Sequence, residues 1–177
     1  MRCLVEGFSN CRQGIMTLRV EYFSEPRVDR ARIIHRDDMG EVKVKVDLEN
    51  AVDRQLVRRG QLAETDVRKL TTRLLVDSGA VRLVLPQDQV EALGLLEIGK
   101  IIVRYADERK EERPVAGIVN VKVGNRATDV DCVVGPPASE PLLGQEVLEV
   151  LDLLVDCPNQ QLIPRPESPL LPELKMK

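Results

Sequence analysis

The stretch Leu74-Leu75-Val76-Asp77-Ser78-Gly79-Ala80 holds the residue types and spacing that could do chemistry. An apolar run delivers one carboxylate, followed at once by a hydroxyl and a glycine. The chemistry open to such a set is the acid–base chemistry of a carboxylate. The apolar approach predicts a buried strand, which places Asp77 at the edge of a core. The same tripeptide also suits a polar turn that closes a strand, because Asp, Ser and Gly are ordinary turn residues. A second signal lies further along, where Pro141-Leu142-Leu143-Gly144 leads into an amphipathic segment.

Other chemistries are poorly served. His35 is the one histidine, which rules out any site needing two imidazoles and most zinc enzyme sites with it. Cys3, Cys11, Cys132 and Cys157 include no CxxC pair, so a structural zinc site is not expected. The chain is long enough not to need disulfide staples, and the cysteines are read as free thiols that act as small hydrophobes. The net charge is −3, and the aromatic residues are Phe8, Tyr22, Phe23 and Tyr105 alone. A nucleic-acid binder would show a basic surplus or a stacking platform, so no nucleic-acid partner is expected. No stretch approaches the roughly 18 apolar residues of a membrane span. Arg2, Glu6, Arg12 and Arg19 interrupt any leader-like apolar run. The expectation is a soluble, cytoplasmic protein with no membrane partner.

The elements that must position Asp77 are legible from Met39 onward. Val42, Val44, Val46 and Leu48 alternate with Lys43, Lys45 and Asp47, which predicts a half-buried strand. Asn50 is placed to cap a short helix over 51–59, with Gly60 just past its end and Val52, Leu56 and Val57 as its buried stripe. Strands are predicted over Thr71–Val76 and Val81–Leu85. Pro86 suits the first position of a short helix ending at Gly94. Strands over 99–105 and 112–123 flank the charged turn Ala106–Glu111. Gly124-Asn125 signals a hairpin returning over Ala127–Val134. Gly144–Leu151 reads as a helix with Val147, Leu148 and Leu151 on one face. A last hairpin is predicted from Val155–Cys157 and Gln161–Ile163. The run of elements predicts a mostly β domain over 39–164 with two or three short helices. Residues 165–177 are expected to be a flexible Pro-rich tail. Residues 1–38 are either an accessory segment or a misplaced start, with Met39 as the initiator.

Taken together, these elements resemble the retropepsin-like aspartic proteases, the bacterial retroviral-type family. The matching features are the hydrophobic strand into Asp77-Ser78-Gly79-Ala80, the strand and short helix to Gly94-Leu95, a flap hairpin, and Leu142-Leu143-Gly144 before a helix. The closing Leu153-Leu154-Val155-Asp156 hairpin agrees as well. The resemblance implies a pepsin/retropepsin-like closed β-barrel and a homodimer. One chain supplies one Asp-Ser-Gly, so the dimer would bring Asp77 together with Asp77 of a second copy. Two carboxylates so close share one proton. The ionised one would activate a water, and the protonated one would polarise the scissile carbonyl of a peptide or protein substrate, so the resemblance implies no metal and no organic cofactor. Ser78 resembles the hydroxyl that braces the two loops across the dyad, and Gly79 lets backbone N–H groups approach the carboxylates. Ala80 removes a possible hydroxyl donor, which implies activity toward weakly acidic or near-neutral pH. Leu142, Leu143 and Gly144 would support the catalytic loop.

The flap departs from the family pattern. Its expected tip, Tyr105-Ala106-Asp107-Glu108-Arg109, has no glycine. It reads either as a solvated charged turn or as a flap in which Tyr105 or Ala106 covers the substrate backbone while Asp107–Arg109 tune the rim. Arg58-Arg59 and the Glu108–Arg113 cluster read as solvated faces, and Asp152 and Asp156 as surface or turn positions. The leading expectation is an aspartic endopeptidase. Its rivals are a retropepsin-like dimerisation or peptide-binding module with little or no hydrolysis, and an unrelated small β domain acting as an assembly partner.

Overall fold

Alternation along the first strand sets the plan of the molecule, seen in a computed structural model that describes residues 40–173. In β1 (Lys43–Asn50) the inward positions Val44, Val46 and Leu48 are buried and Lys43, Lys45 and Asp47 are exposed. β1 pairs antiparallel with β2 (Lys69–Val76) along its whole length. Its C-terminal half also pairs with β5 (Lys110–Val123), from Asp47 opposite Lys122 to Asn50 opposite Val119. The remaining strands of this sheet are β3 (Leu83–Pro86), β4 (Leu96–Arg104), β6 (Arg126–Gly135) and β7 (Leu142–Leu143). Through hydrogen-bonded neighbours β1, β2, β7, β3, β6 and β5 form a closed ring, and β4 extends from β5 outside it. A separate two-stranded sheet pairs β8 (Leu153–Asp156) with β9 (Gln161–Pro164). The mostly β expectation holds, with helices α1 (Ala51–Arg58), α2 (Gln87–Ala92) and α3 (Gln145–Val150) between strands.

The ring encloses the core. Leu48, Leu74, Leu83, Leu85, Leu143 and Leu151 are fully buried in it. Burying each such side chain contributes roughly 1.5–3 kcal/mol. No helix among the described residues is long and apolar enough to cross a membrane. The first segment, 1–38, lies outside the described residues, and so do Cys3, Cys11 and His35.

Local chemistry explains the element ends. The Asn50 side chain accepts from the Val52 and Asp53 amides, as an N-cap should. Its amide also donates to Leu93 O at 2.9 Å, which ties α1 to the end of α2. Gly60 follows the helix at φ +69° and closes it. The predicted stripe of α1 needs correction. Val52 is exposed, and the helix buries Ala51 and Asp53 instead. The Arg68 guanidinium holds both oxygens of Asp53, at 2.8 and 2.7 Å, and keeps its carboxyl below the usual range. A buried carboxylate with a bidentate partner is tolerated where an unpaired one is not. Pro86 ends β3 and stands just before α2 rather than inside it.

A second correction concerns Asp152, which is not a surface position. It is buried at φ +51°, where its carboxylate accepts from the Ser168 hydroxyl and from Arg165 Nε at 2.6 Å. Arg126 is buried beside it and donates to the carbonyls of Leu151 (2.6 Å), Asp152 (2.7 Å) and Ser168. Residues 165–168, read from sequence as the start of a loose tail, are therefore tied back to the turn between α3 and β8. Cys132, in β6, is fully buried, and its thiol faces Ala116 O at 3.5 Å. Burial pushes that thiol up to about 12. Cys157 is free and exposed in the last turn.

Two outcomes follow from these placements. The Ser168 hydroxyl and then Arg165 hold Asp152 down to about 2. The stability it contributes is therefore complete above roughly pH 4, the ordinary carboxylate range, and fades as pH falls toward its folded value. Thermal melts of wild-type and Asp152→Asn protein should differ most near neutrality and converge as the pH drops through that window. Alkylation mapped by mass spectrometry should label Cys157 in the native protein and Cys132 only after unfolding.

Candidate active site

The carboxylate of Asp77 sits on a loop that must arch over another strand. β7 lies between β2 and β3, parallel to β2 (Leu75 opposite Leu142, Val76 opposite Leu143) and paired with β3 at Val84–Leu142. The loop 77–82 joins β2 to β3, so it bridges the end of β7. Its backbone is anchored at both ends. Leu75 N donates to Pro141 O (3.0 Å) and Asp77 N to Leu143 O (3.1 Å). On the far side the carbonyls of Ala80 and Val81 accept from Gln145 N (2.8 Å) and Glu146 N (2.9 Å). Those amides open α3 and would otherwise lack intrahelical partners. One set of bonds thus completes both the helix start and the loop.

Gly144 makes the crossing possible. A Cβ there would fall 2.3 Å from Arg82 O and 2.9 Å from Ala80 O, both backbone atoms. The Leu-Leu-Gly signal is thereby explained: Leu143 is buried in the core, Leu142 is half-buried beside the cavity, and Gly144 passes under the loop.

At the loop's crest Asp77 Oδ1 accepts from Gly79 N at 2.8 Å. A side chain on Gly79 would stand 3.1 Å from the same oxygen, which is tighter than ordinary contact. Asp77 is half-buried, while Ser78 and Gly79 are exposed. The neighbouring Val81 is 70% exposed, an apolar side chain left uncovered beside the carboxylate. Val81 and Arg82 belong to this loop and not to β3, because their carbonyls face α3 and Gly144 instead of a strand partner.

Asp77 lies at the wall of a cavity of about 750 Å³ between the ring and the β4–β5 hairpin. Val84, Val134 and Leu142 line it from the ring, and Ile101 and Val103 from the hairpin. Among the residues expected from sequence, Ala80, Tyr105 and Ala106 share this cavity with Asp77 and Gly79. Asp107 does not line it and pairs with Arg109. Ser78 lies on the exposed crest beside it.

The hairpin tip closes without glycine. Glu108 takes φ +64°, and the turn is bonded from Tyr105 N to Arg109 O at 2.9 Å. The Tyr105 hydroxyl donates to Glu111 at 3.0 Å, Arg113 reaches that same carboxylate at 3.0 Å, and the Arg109 guanidinium covers the Tyr105 ring at 5.4 Å. The Glu108–Arg113 cluster is therefore not wholly a solvated face. The Arg113 side chain is only 21% exposed and lines the cavity. Sequence reasoning also passed over Arg82, Arg104 and Glu140 as cavity residues. Arg82 follows Asp77 closely enough to share its loop, and that spacing was the available signal.

Gly144→Ala should push the Asp77 loop off its support. The expected loss is about 1–3 kcal/mol in denaturant unfolding, the usual range for overpacking. Exchange protection of the Gln145 and Glu146 amides should fall with it.

The comparisons with known proteins bear on this same region. Residues 63–147 match the family model described as aspartyl protease. The matched segment runs from the approach to β2 through the Asp77 loop and the hairpin to the first turn of α3. No curated protein matches the chain. The match supports a kinship between the domain that carries Asp77 and the retropepsin-like aspartyl proteases.

Proposed function

We propose that this protein is an aspartic endopeptidase whose dyad forms when two copies bring their Asp77 loops together. The observation that carries the reading is the placement of Asp77: half-buried, braced by Gly79 N, and set at the wall of a cavity large enough for an extended peptide. The exposed Ser78 and Val81 beside it are the surface a second copy would cover. In that arrangement one carboxylate holds the shared proton and polarises the scissile carbonyl. The other draws a proton from the attacking water. The backbone bonds under the loop keep the carboxylates in place, so little reorganisation is needed at the moment of reaction. Ala80 contributes no hydroxyl to the pair, which favours work toward weakly acidic or near-neutral pH.

The second reading is a peptide-binding or dimerisation module with weak hydrolysis. It is favoured by the hairpin tip, whose ion pairs and ring contact tie it to itself and would resist closure over a substrate.

Peptide-library cleavage from about pH 4 to about pH 7.5, bracketing the range of shared-proton carboxylates, separates the two. Wild-type protein should cleave, and Asp77→Asn should lose about a thousandfold or more of kcat/KM. Sedimentation should give a dimer for both. A dimer that cleaves nothing would favour the module, and cleavage equal in both proteins would defeat the Asp77 assignment.

A further inference from the structure

Three guanidiniums stand on the cavity wall without their ion-pair partners. Arg82, Arg104 and Arg113 line it, whereas the carboxylates that pair with them, Asp131, Glu108 and Glu111, do not. The acidic lining consists of Asp77 and Glu140, and Glu140 is already held by Lys43 at 2.8 Å. Arg82 stands on the Asp77 loop and Arg113 on the opposite hairpin, so an extended chain between them would meet a guanidinium on either side. Arg82 gives one N–H to Asp131 at 2.7 Å, and the two side chains are 38% and 31% exposed. A guanidinium has five N–H donors. Among the described residues, those of Arg82 not given to Asp131 have no hydrogen-bond acceptor. The rest of the wall is mostly apolar, with Val84, Val134 and Leu142 in it, and its two hydroxyls are already engaged, Tyr105 with Glu111 at 3.0 Å and Ser139 with Pro136 O at 2.8 Å.

We infer that this cleft selects peptides carrying an acidic side chain close to the scissile bond, with Arg82 as the residue that reads it. The inference rests on the reading that an extended peptide occupies the cavity beside Asp77. Alternate side chains of such a peptide point to opposite walls. One position therefore meets Arg82 while its neighbours meet the apolar lining. Asp131 fixes the guanidinium from behind and leaves its outer edge to the substrate. The ion pair makes the cleft nearly neutral at a distance, so the preference is a contact effect: a carboxylate accepting charge-assisted hydrogen bonds.

Binding without turnover tests this. Asp77→Asn protein is incubated with a peptide library, and the retained peptides are sequenced by mass spectrometry. Asp and Glu should be enriched about fivefold over Asn and Gln at one position, the scale of a partly exposed ion pair. Arg82→Gln in the same background should bring the ratio to near one, and Arg82→Glu should turn it toward Lys and Arg. Asp131→Asn breaks the same ion pair from its other end and should keep the acidic preference, which separates recognition from damage to the fold. Equal recovery of acidic and neutral peptides, no recovery at all, or an enrichment indifferent to Arg82 would overturn the inference. Because cleavage is not read, failure of the wild-type protein to hydrolyse peptides would count against the peptidase reading alone.

Discussion

The structure depends on one crossing: β7 threading between β2 and β3 beneath the loop that joins them. Buried backbone N–H and C=O groups must find partners, and here they find them across elements far apart in sequence. Asp77 N takes Leu143 O, and the loop carbonyls take the first amides of α3. The loop is thus closed by bonds that also complete the ring and start a helix. Gly144 follows as a necessity, since the strand and loop backbones approach more closely than any Cβ allows. The position of the carboxylate is consequently set by the ring as well as by the loop's own bond from Gly79 N.

Around that rigid floor the hairpin is built differently. Its strand β4 leaves Leu96, Ile98 and Ile102 exposed, and its tip is held by charge. A glycine-rich tip would gain its freedom from the backbone. This one has Glu108 in a left-handed conformation and a tyrosine fastened to an acid and covered by an arginine. Exposed ion pairs are worth little individually, but several sharing one ring and one carboxylate hold a turn more firmly. A tip held by charge thus faces a braced loop across a cavity that Arg82, Arg104 and Arg113 line together with Asp77 and Glu140.

The Arg126–Asp152–Ser168 cluster plays a comparable part away from the cleft. Arg126 is buried and would be costly unpaired. The carbonyls of Leu151, Asp152 and Ser168 and the Asp152 carboxylate surround it, so the turn after α3, the start of β6 and the segment beyond β9 are drawn to one point. α3 is thereby fixed at its C-terminal end, as its N-terminal end is fixed by the loop that carries Asp77.

Periodicity and turn chemistry made most of the elements legible. Alternation in Val42–Leu48, the Asn50 cap, the Gly124-Asn125 turn and the apolar face of Val147, Leu148 and Leu151 are all local signals, and each appears where local physics put it. The motif Asp77-Ser78-Gly79 and the later Leu142-Leu143-Gly144 were also visible, as separate pieces. Their relation was not: that one strand runs under the loop of the other depends on pairings between residues distant in the chain, which no window of sequence contains. The same holds for the corrections. Val52 fits an apolar helical stripe and Asp152 fits a surface turn, yet Arg68 draws Asp53 inward and Arg126 and Ser168 enclose Asp152. A charged side chain is buried or exposed according to the partner that reaches it. Local patterning set the strands, the turns and the carboxylate, whereas long-range packing decided which charges would find partners and which would line the cleft.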